Sequence, residues 1–170
     1  MPSFQLAGLP YELFADYFAL SDAELVRRGM LRVVATEHPG YPCRVSLRDA
    51  AVGEELLLLP HEHQAANSPY RASGPIFVRR LAERRVLGPG EIPDYVRLRL
   101  ISLRAYDASN LMVDAEVCEG ADAASALQRL FQRPDAAYVH LHNAKRGCFS
   151  CHAIRVPQEH RGGFPAAHAQ

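Results

Sequence analysis

Between His140 and His152 the chain sets three histidines, two cysteines, Asn143 and Lys145 beside an apolar run. Such side chains transfer protons, ligate metals or attack electrophiles, so their crowding marks a candidate site. A second dense stretch runs from His61-Glu62-His63-Gln64 to Ser68-Pro69-Tyr70-Arg71-Ala72-Ser73-Gly74-Pro75. Cys148 with His142 or His63 has the makings of a nucleophile and a base. Gly147 would let a substrate approach the backbone, and Asn143 could donate to an oxyanion or orient an imidazole. Arg71 could clamp a carboxylate or phosphate, with Ser73 and the Gly74 amide completing an anion site beside Tyr70. Arg44 and Lys145 are further candidate cations. The expected catalytic set is therefore His63, His142, Cys148 and Asn143. The expected binding set is Arg44, Tyr70, Arg71, Ser73 and Lys145. Both sets require Arg71, His63, His142 and Cys148 to meet in one hollow.

Other chemistries compete for the same residues. His140 and His142 are two apart on an apparent strand and share a face, as would His61 and His63. With Cys148 they could form a His/Cys shell for zinc or iron, using His63, His140, His142 and Cys148. Cys148-Phe149-Ser150-Cys151-His152 also matches the covalent haem-attachment pattern. Haem is not expected, because attachment needs export and no methionine is an obvious sixth ligand. Dithiol redox chemistry is disfavoured too, since residues 148 and 151 on a strand point to opposite faces. Against all of these stands the ordinary reading, in which histidines line a polar cleft and cysteines are inert packing. Cys118 is assigned to packing.

The elements that must carry these residues follow from periodicity. A chain of 170 residues is enough for one domain with a full core. Its 19 basic and 19 acidic residues give no electrostatic case for nucleic acid or an anionic membrane. No apolar run reaches the roughly 18 residues of a membrane span. The opening residues lack a signal-peptide pattern, and four cysteines without export point to a cytoplasmic protein with free thiols. Strands are predicted at 4–8, 31–36, 43–47, 54–60, 75–79, 97–106, 111–118, 138–142 and 148–156, with helices from Pro10, from Ser21 and from Ala121. Ser21-Asp22-Ala23-Glu24 is a capping box, Asp107-Ala108-Ser109-Asn110 a hairpin turn, and Leu111, Val113, Ala115 and Val117 one apolar face. The arginine pairs 79–80 and 84–85 read as solvated surface. The sum is an α+β domain over 1–157, a largely antiparallel sheet of about eight strands with about three helices. Residues 158–170 form a flexible tail.

Several strings, in order along the chain, resemble the bacterial proteins grouped as domain of unknown function 1203. They are Phe4-Gln5-Leu6-Ala7-Gly8-Leu9, Pro42-Cys43-Arg44-Val45-Ser46-Leu47, Glu62-His63-Gln64 and Ser68 to Arg79. Ser102 to Asp107, Met112 to Ala115, His142-Asn143-Ala144-Lys145 and Gly147-Cys148 complete the set. The resemblance implies a single small bacterial domain and no particular reaction. Within the family-like strings fall Cys43, Arg44, His63, Tyr70, Arg71, Ser73, Arg104, Asp114, His142, Asn143, Lys145 and Cys148. His61 and His152 fall outside, which weakens the haem and paired H-x-H readings, and Arg146 stands where the pattern has proline. The leading expectation is a small cytosolic enzyme acting on an anionic or amide-bearing small molecule. A zinc or iron protein and a non-catalytic ligand-binding or sensing module are the alternatives.

Overall fold

The computed structural model describes residues 3–156; the predicted tail lies outside the described residues. Ten strands are found there: β1 (Ser3–Ala7), β2 (Leu31–Val34), β3 (Pro42–Cys43), β4 (Arg48–Asp49), β5 (Glu55–Gln64), β6 (Ala72–Arg79), β7 (Leu100–Tyr106), β8 (Met112–Glu119), β9 (Tyr138–Asn143) and β10 (Phe149–Val156). The α-helices are α1 (Asp22–Arg27), α2 (Asp94–Arg97) and α3 (Ala123–Leu130). None of the helices is long and apolar enough to cross a membrane.

The fold is α+β, as expected, but its strands divide between two five-stranded sheets. The first has the order β1-β10-β9-β7-β8 and is antiparallel throughout. The second has the order β2-β5-β6-β3-β4, with one parallel contact between β3 and β6. Adjacency in sequence does not reveal this division, because β3 and β4 join the far side of β6.

Alternation decides what each face of the first sheet meets. Val139 and Leu141 of β9, with Ile101, Leu103 and Ala105 of β7, pack against Ala126, Leu127 and Leu130 of α3. Tyr138, His140 and His142 therefore point to the opposite face, because successive strand residues alternate. In register across that face, Arg104 pairs with His140 and His140 with His152. The second sheet has its own core, in which Phe14, Phe18 and Leu25 cover Leu57, Leu59, Ile76 and Val78.

Several local expectations change. The segment after Pro10 forms two 3-10 turns, Tyr11–Leu13 and Ala15–Ala19, in place of one amphipathic helix. The predicted strand 43–47 is only two residues long; Leu47 N–H donates to Cys43 O in a tight turn, and the chain returns as β4. Strand β5 runs on through His61 and His63 to Gln64. Of the predicted apolar face Leu111, Ala115 and Val117 stay exposed and only Val113 packs against the core, because α3 covers the other side of the sheet. Arg79 is not solvated surface: it pairs with Glu54 and donates to Ser46 Oγ. The capping box at Ser21 and Glu24 and the Asp107 turn form as predicted.

Asp49 and Gly8 make two of the contacts that join the sheets. Arg99, just before β7, donates to both carboxylate oxygens of Asp49 in β4, at 2.6 and 2.9 Å. Asp49 also accepts from Gly40 N–H at 3.1 Å, and its side chain is 2% exposed. At Gly8 the backbone passes so near Val45 that a Cβ would lie 1.9 Å from its carbonyl oxygen, so only glycine fits. Removing one member of a buried ion pair typically costs about 3–5 kcal/mol, because the other charge is stranded. Asp49→Ala is expected to lower the unfolding free energy obtained from urea titration by an amount in that range; an unchanged value would show that the clamp contributes nothing.

Candidate functional site

The residues singled out from sequence divide among two hollows, a layer of packed histidines and a patch of surface. The larger hollow, about 630 Å³, opens where the two sheets meet and includes Arg44, Asn143, Lys145, Arg146 and Cys148 in its lining. Glu37 and Glu119 also reach it. The smaller, about 280 Å³, includes His63, His140, His152 and Phe149.

In the larger hollow Cys148 follows Gly147, whose φ of +75° turns the chain from β9 into β10. The Cys148 sulfur accepts from the Arg44 guanidinium at 3.1 Å and from Asn143 Nδ2 at 3.6 Å. Arg44 is 1% exposed, and its remaining donors go to the carbonyls of Phe149, at 2.7 Å, and Pro42. Among the described residues no carboxylate pairs with it. Asn143 Oδ1 is buried without a partner. Asn143 thus serves the thiol and not, as one expectation had it, an imidazole.

The histidines surround Phe149. Its ring centroid lies 6.3 Å from His61, 5.4 Å from His63, 5.3 Å from His140 and 5.8 Å from His142. A bulge between Phe149 and Cys151 puts Phe149 opposite His142 on the histidine face and Cys151 opposite Leu141 in the core. His63 reaches the layer because Gln64 Nε2 donates to Tyr138 OH at 2.9 Å, and Tyr138 OH in turn donates to Asn110 Oδ1 at 2.8 Å. The His63 and His142 ring centroids are 5.0 Å apart. His142 Nδ1 lies 3.0 Å from Gly147 O, a carbonyl that can only accept, so Nδ1 carries the proton.

Burial sets the chemistry of this layer. It lowers His140 to about 3, helped by repulsion from His152, His142, His63 and Arg104. Burial likewise lowers His142 to about 4, opposed by the bond to Gly147 and helped by Arg104 and His63. His63 and His152 are lowered by burial as well, and His61 is lowered by burial against the pull of Glu62. The imidazoles are neutral at pH 7. His63 Nδ1, His140 Nδ1 and His142 Nε2 are buried without hydrogen-bond partners.

The four residues expected to converge do not all do so. His63 and His142 meet; Cys148 faces the other hollow; Arg71 lies on the surface, its Nε 2.5 Å from Glu62. Ser73 is exposed, and Tyr70 packs edge-on against Tyr106 with centroids 6.0 Å apart. Neither lines a hollow with the others. Among the described residues no group of three or more His, Cys, Asp or Glu is placed to hold a metal ion. Cys148 and Cys151 are separated by the bulge, and Cys151, sealed in the core, has its thiol pushed up to about 11 by burial. All four cysteines are free.

Sequence reasoning placed Arg104 in a family-like string without a role, gave Tyr138 none, and read Arg84 as solvated surface. Arg104 had a readable signal: it alternates with the core residues Leu103 and Ala105, so it must face the histidines. Arg84 had none, since its Nε donates to Gly8 O, a contact 76 residues away in the chain.

The family model described as "Protein of unknown function (DUF1203)" matches residues 40–155, and the chain belongs to that family. The match takes in both hollows' central residues, from Arg44 to His152. No curated protein matches the chain, and no solved structure does.

The histidine layer dictates a pH response. In the unfolded chain each histidine takes up a proton as pH falls through about 6.5, whereas folded His140 and His142 resist until about 3 and 4. The unfolded state binds more protons inside that window, so stability is full above it and declines as pH falls toward about 4. Each such group contributes a slope of about 1.4 kcal/mol per pH unit. Urea titrations between those limits are expected to show the decline, and His140→Phe to flatten it by one group's worth. Identical slopes in both proteins would mean that His140 is not held neutral.

Proposed function

We propose that this protein is a small enzyme whose reactive group is the Cys148 thiol, acting on an anionic small molecule held in the larger hollow. The observation that carries this reading is the buried Arg44 guanidinium. Its partners are two carbonyls and one sulfur. Burying an uncompensated cation costs several kcal/mol. Within that set the Cys148 sulfur is the only atom of a nucleophilic side chain, and the guanidinium holds it at the hollow. Cys148 would add to an electrophilic carbon of the ligand, forming the S–C bond. The thiol proton would pass to solvent in the open hollow, and a leaving group would depart with its electron pair.

The anionic character of the substrate rests on the lining. Lys145 and Arg146 sit at the hollow with no carboxylate partner among the described residues, and with Arg44 and Arg99 they outnumber the two carboxylates of the lining, Glu37 and Glu119. Asn143, between thiol and lining, is placed to hydrogen-bond a carbonyl or amide of the ligand. His63 and His142 are left out of this chemistry, because neither lines the thiol hollow. A zinc or iron centre using Cys148 is not carried forward either, since the sulfur's bonded partners are Arg44 and Asn143. Four free thiols support a cytosolic setting.

One observation favours a second reading, a binding or sensing module without turnover: among the described residues no imidazole is hydrogen-bonded to Cys148. Anions that raise the Tm equally in the native protein and in Cys148→Ala, with no covalent adduct, would select that reading.

Competitive alkylation read by mass spectrometry tests the enzyme reading. Cys43 and Cys151 are buried, and burial raises the Cys118 thiol. Cys148 is expected to label first. Iodoacetate, an anion, should gain on neutral iodoacetamide by about threefold or more at low salt, and the Lys145→Gln, Arg146→Gln double variant should erase that gain. Labelling of Cys148 no faster than Cys118, or an iodoacetate preference untouched by the double variant, refutes the proposal.

A further inference from the structure

The smaller hollow shares no lining residue with the thiol hollow. We infer that it is a second binding site, for a small carboxylate carried on a flat apolar body. The first ground is His140. Its side chain lines the hollow, its residue is 3% exposed, and its buried Nδ1 has no hydrogen-bond partner among the described residues. Buried polar groups are almost always paired, so an unpaired imidazole aimed into a hollow is a group awaiting a partner.

The second ground is charge. Arg84 stands at the rim, and its Nε–H donates to Gly8 O at 2.8 Å, which holds the guanidinium along the edge of the opening. The terminal nitrogens of Arg84 have no acceptor among the described residues. Neither Asp nor Glu is in the lining, so the hollow carries one cation and no anion. A planar carboxylate is the group that a guanidinium fork receives in two parallel bonds.

The third ground is the shape of the walls. Phe149 stacks on His63 with centroids 5.4 Å apart and planes inclined by 10°. His152 stacks on Tyr138 at 5.2 Å and 13°. Leu9, Pro10 and Ile154 supply the aliphatic side. Flat aromatic walls receive flat apolar rings. At about 280 Å³ the space is near the lower end for small-molecule pockets, which suits a ligand of benzoate size and excludes a nucleotide. Arg84 would take the carboxylate at the rim, and an imidazole N–H of His140 could serve the same group from inside.

Benzoate is the probe, with benzamide as its neutral counterpart, and the readout is the histidine Cε1–H signals in NMR titration. Benzoate is expected to saturate and to shift the His140 and His152 signals, with benzamide at least about tenfold weaker. Arg84→Gln, at an exposed position, should weaken benzoate by a similar factor while leaving the spectrum folded. His140→Phe should do so too; if it fails to fold, Arg84→Gln remains decisive. Titrations in Cys148→Ala keep this site separate from the thiol, because binding should persist there. No saturable shift at millimolar benzoate, equal binding of benzamide, or unaltered affinity in Arg84→Gln each overturns the inference.

Discussion

Arg44 leaves the second sheet directly after β3 and directs its donors to the Phe149 carbonyl, the Pro42 carbonyl and the Cys148 sulfur. Two of those acceptors belong to the far end of the chain, more than 100 residues on. A guanidinium is hard to bury and harder to bury unpaired. Its position therefore constrains everything around it. The two-residue β3 must stop to release the side chain inward, Gly147 must turn the chain so that Cys148 arrives beneath it, and the Asp49–Arg99 clamp must hold the sheets at the separation that it spans.

On the other side of Phe149 the constraint is of a different kind. Five histidines close on one another, and burial keeps them neutral. Neutral imidazoles pack as aromatic rings, and the geometry is that of an aromatic layer, with T-shaped and stacked contacts about 5–6 Å apart. Thus the histidines that look most like a metal or proton-transfer set in the sequence act first as the packing between β5 and the first sheet. The polar chemistry is displaced to the edges of that layer, at Cys148 on one side and at the His140 hollow on the other.

Local elements were legible and their long-range assembly was not. The α3 stripe of Ala126, Leu127, Leu130 and Phe131, the Ser21 capping box and the Asp107 turn depend on neighbours a few residues away. The division into two sheets depends on Cys43 reaching Phe77, which no local pattern encodes. The candidate site shows the same split. His63 and His142 do meet, and Arg44, Asn143, Lys145 and Cys148 do share a hollow, as residue type suggested. Arg71 does not join them, because Glu62, across the β5–β6 turn, neutralises it at the surface. The bulge at Ser150 is equally silent in sequence, yet it decides which cysteine is sealed and which is available.

A double-mutant cycle puts the dependence of the buried cation on its sulfur to the test. Arg44→Met, Cys148→Ala and the combined variant would be unfolded in urea and compared with the native protein. If the sulfur compensates the guanidinium, Cys148→Ala should harm the protein that keeps Arg44 far more than the protein already carrying the uncharged Arg44→Met substitution, with a coupling of about 1–3 kcal/mol. Effects that add to within about 0.5 kcal/mol would mean that Arg44 and Cys148 are mere neighbours, and the thiol would lose its claim to be the centre of the site.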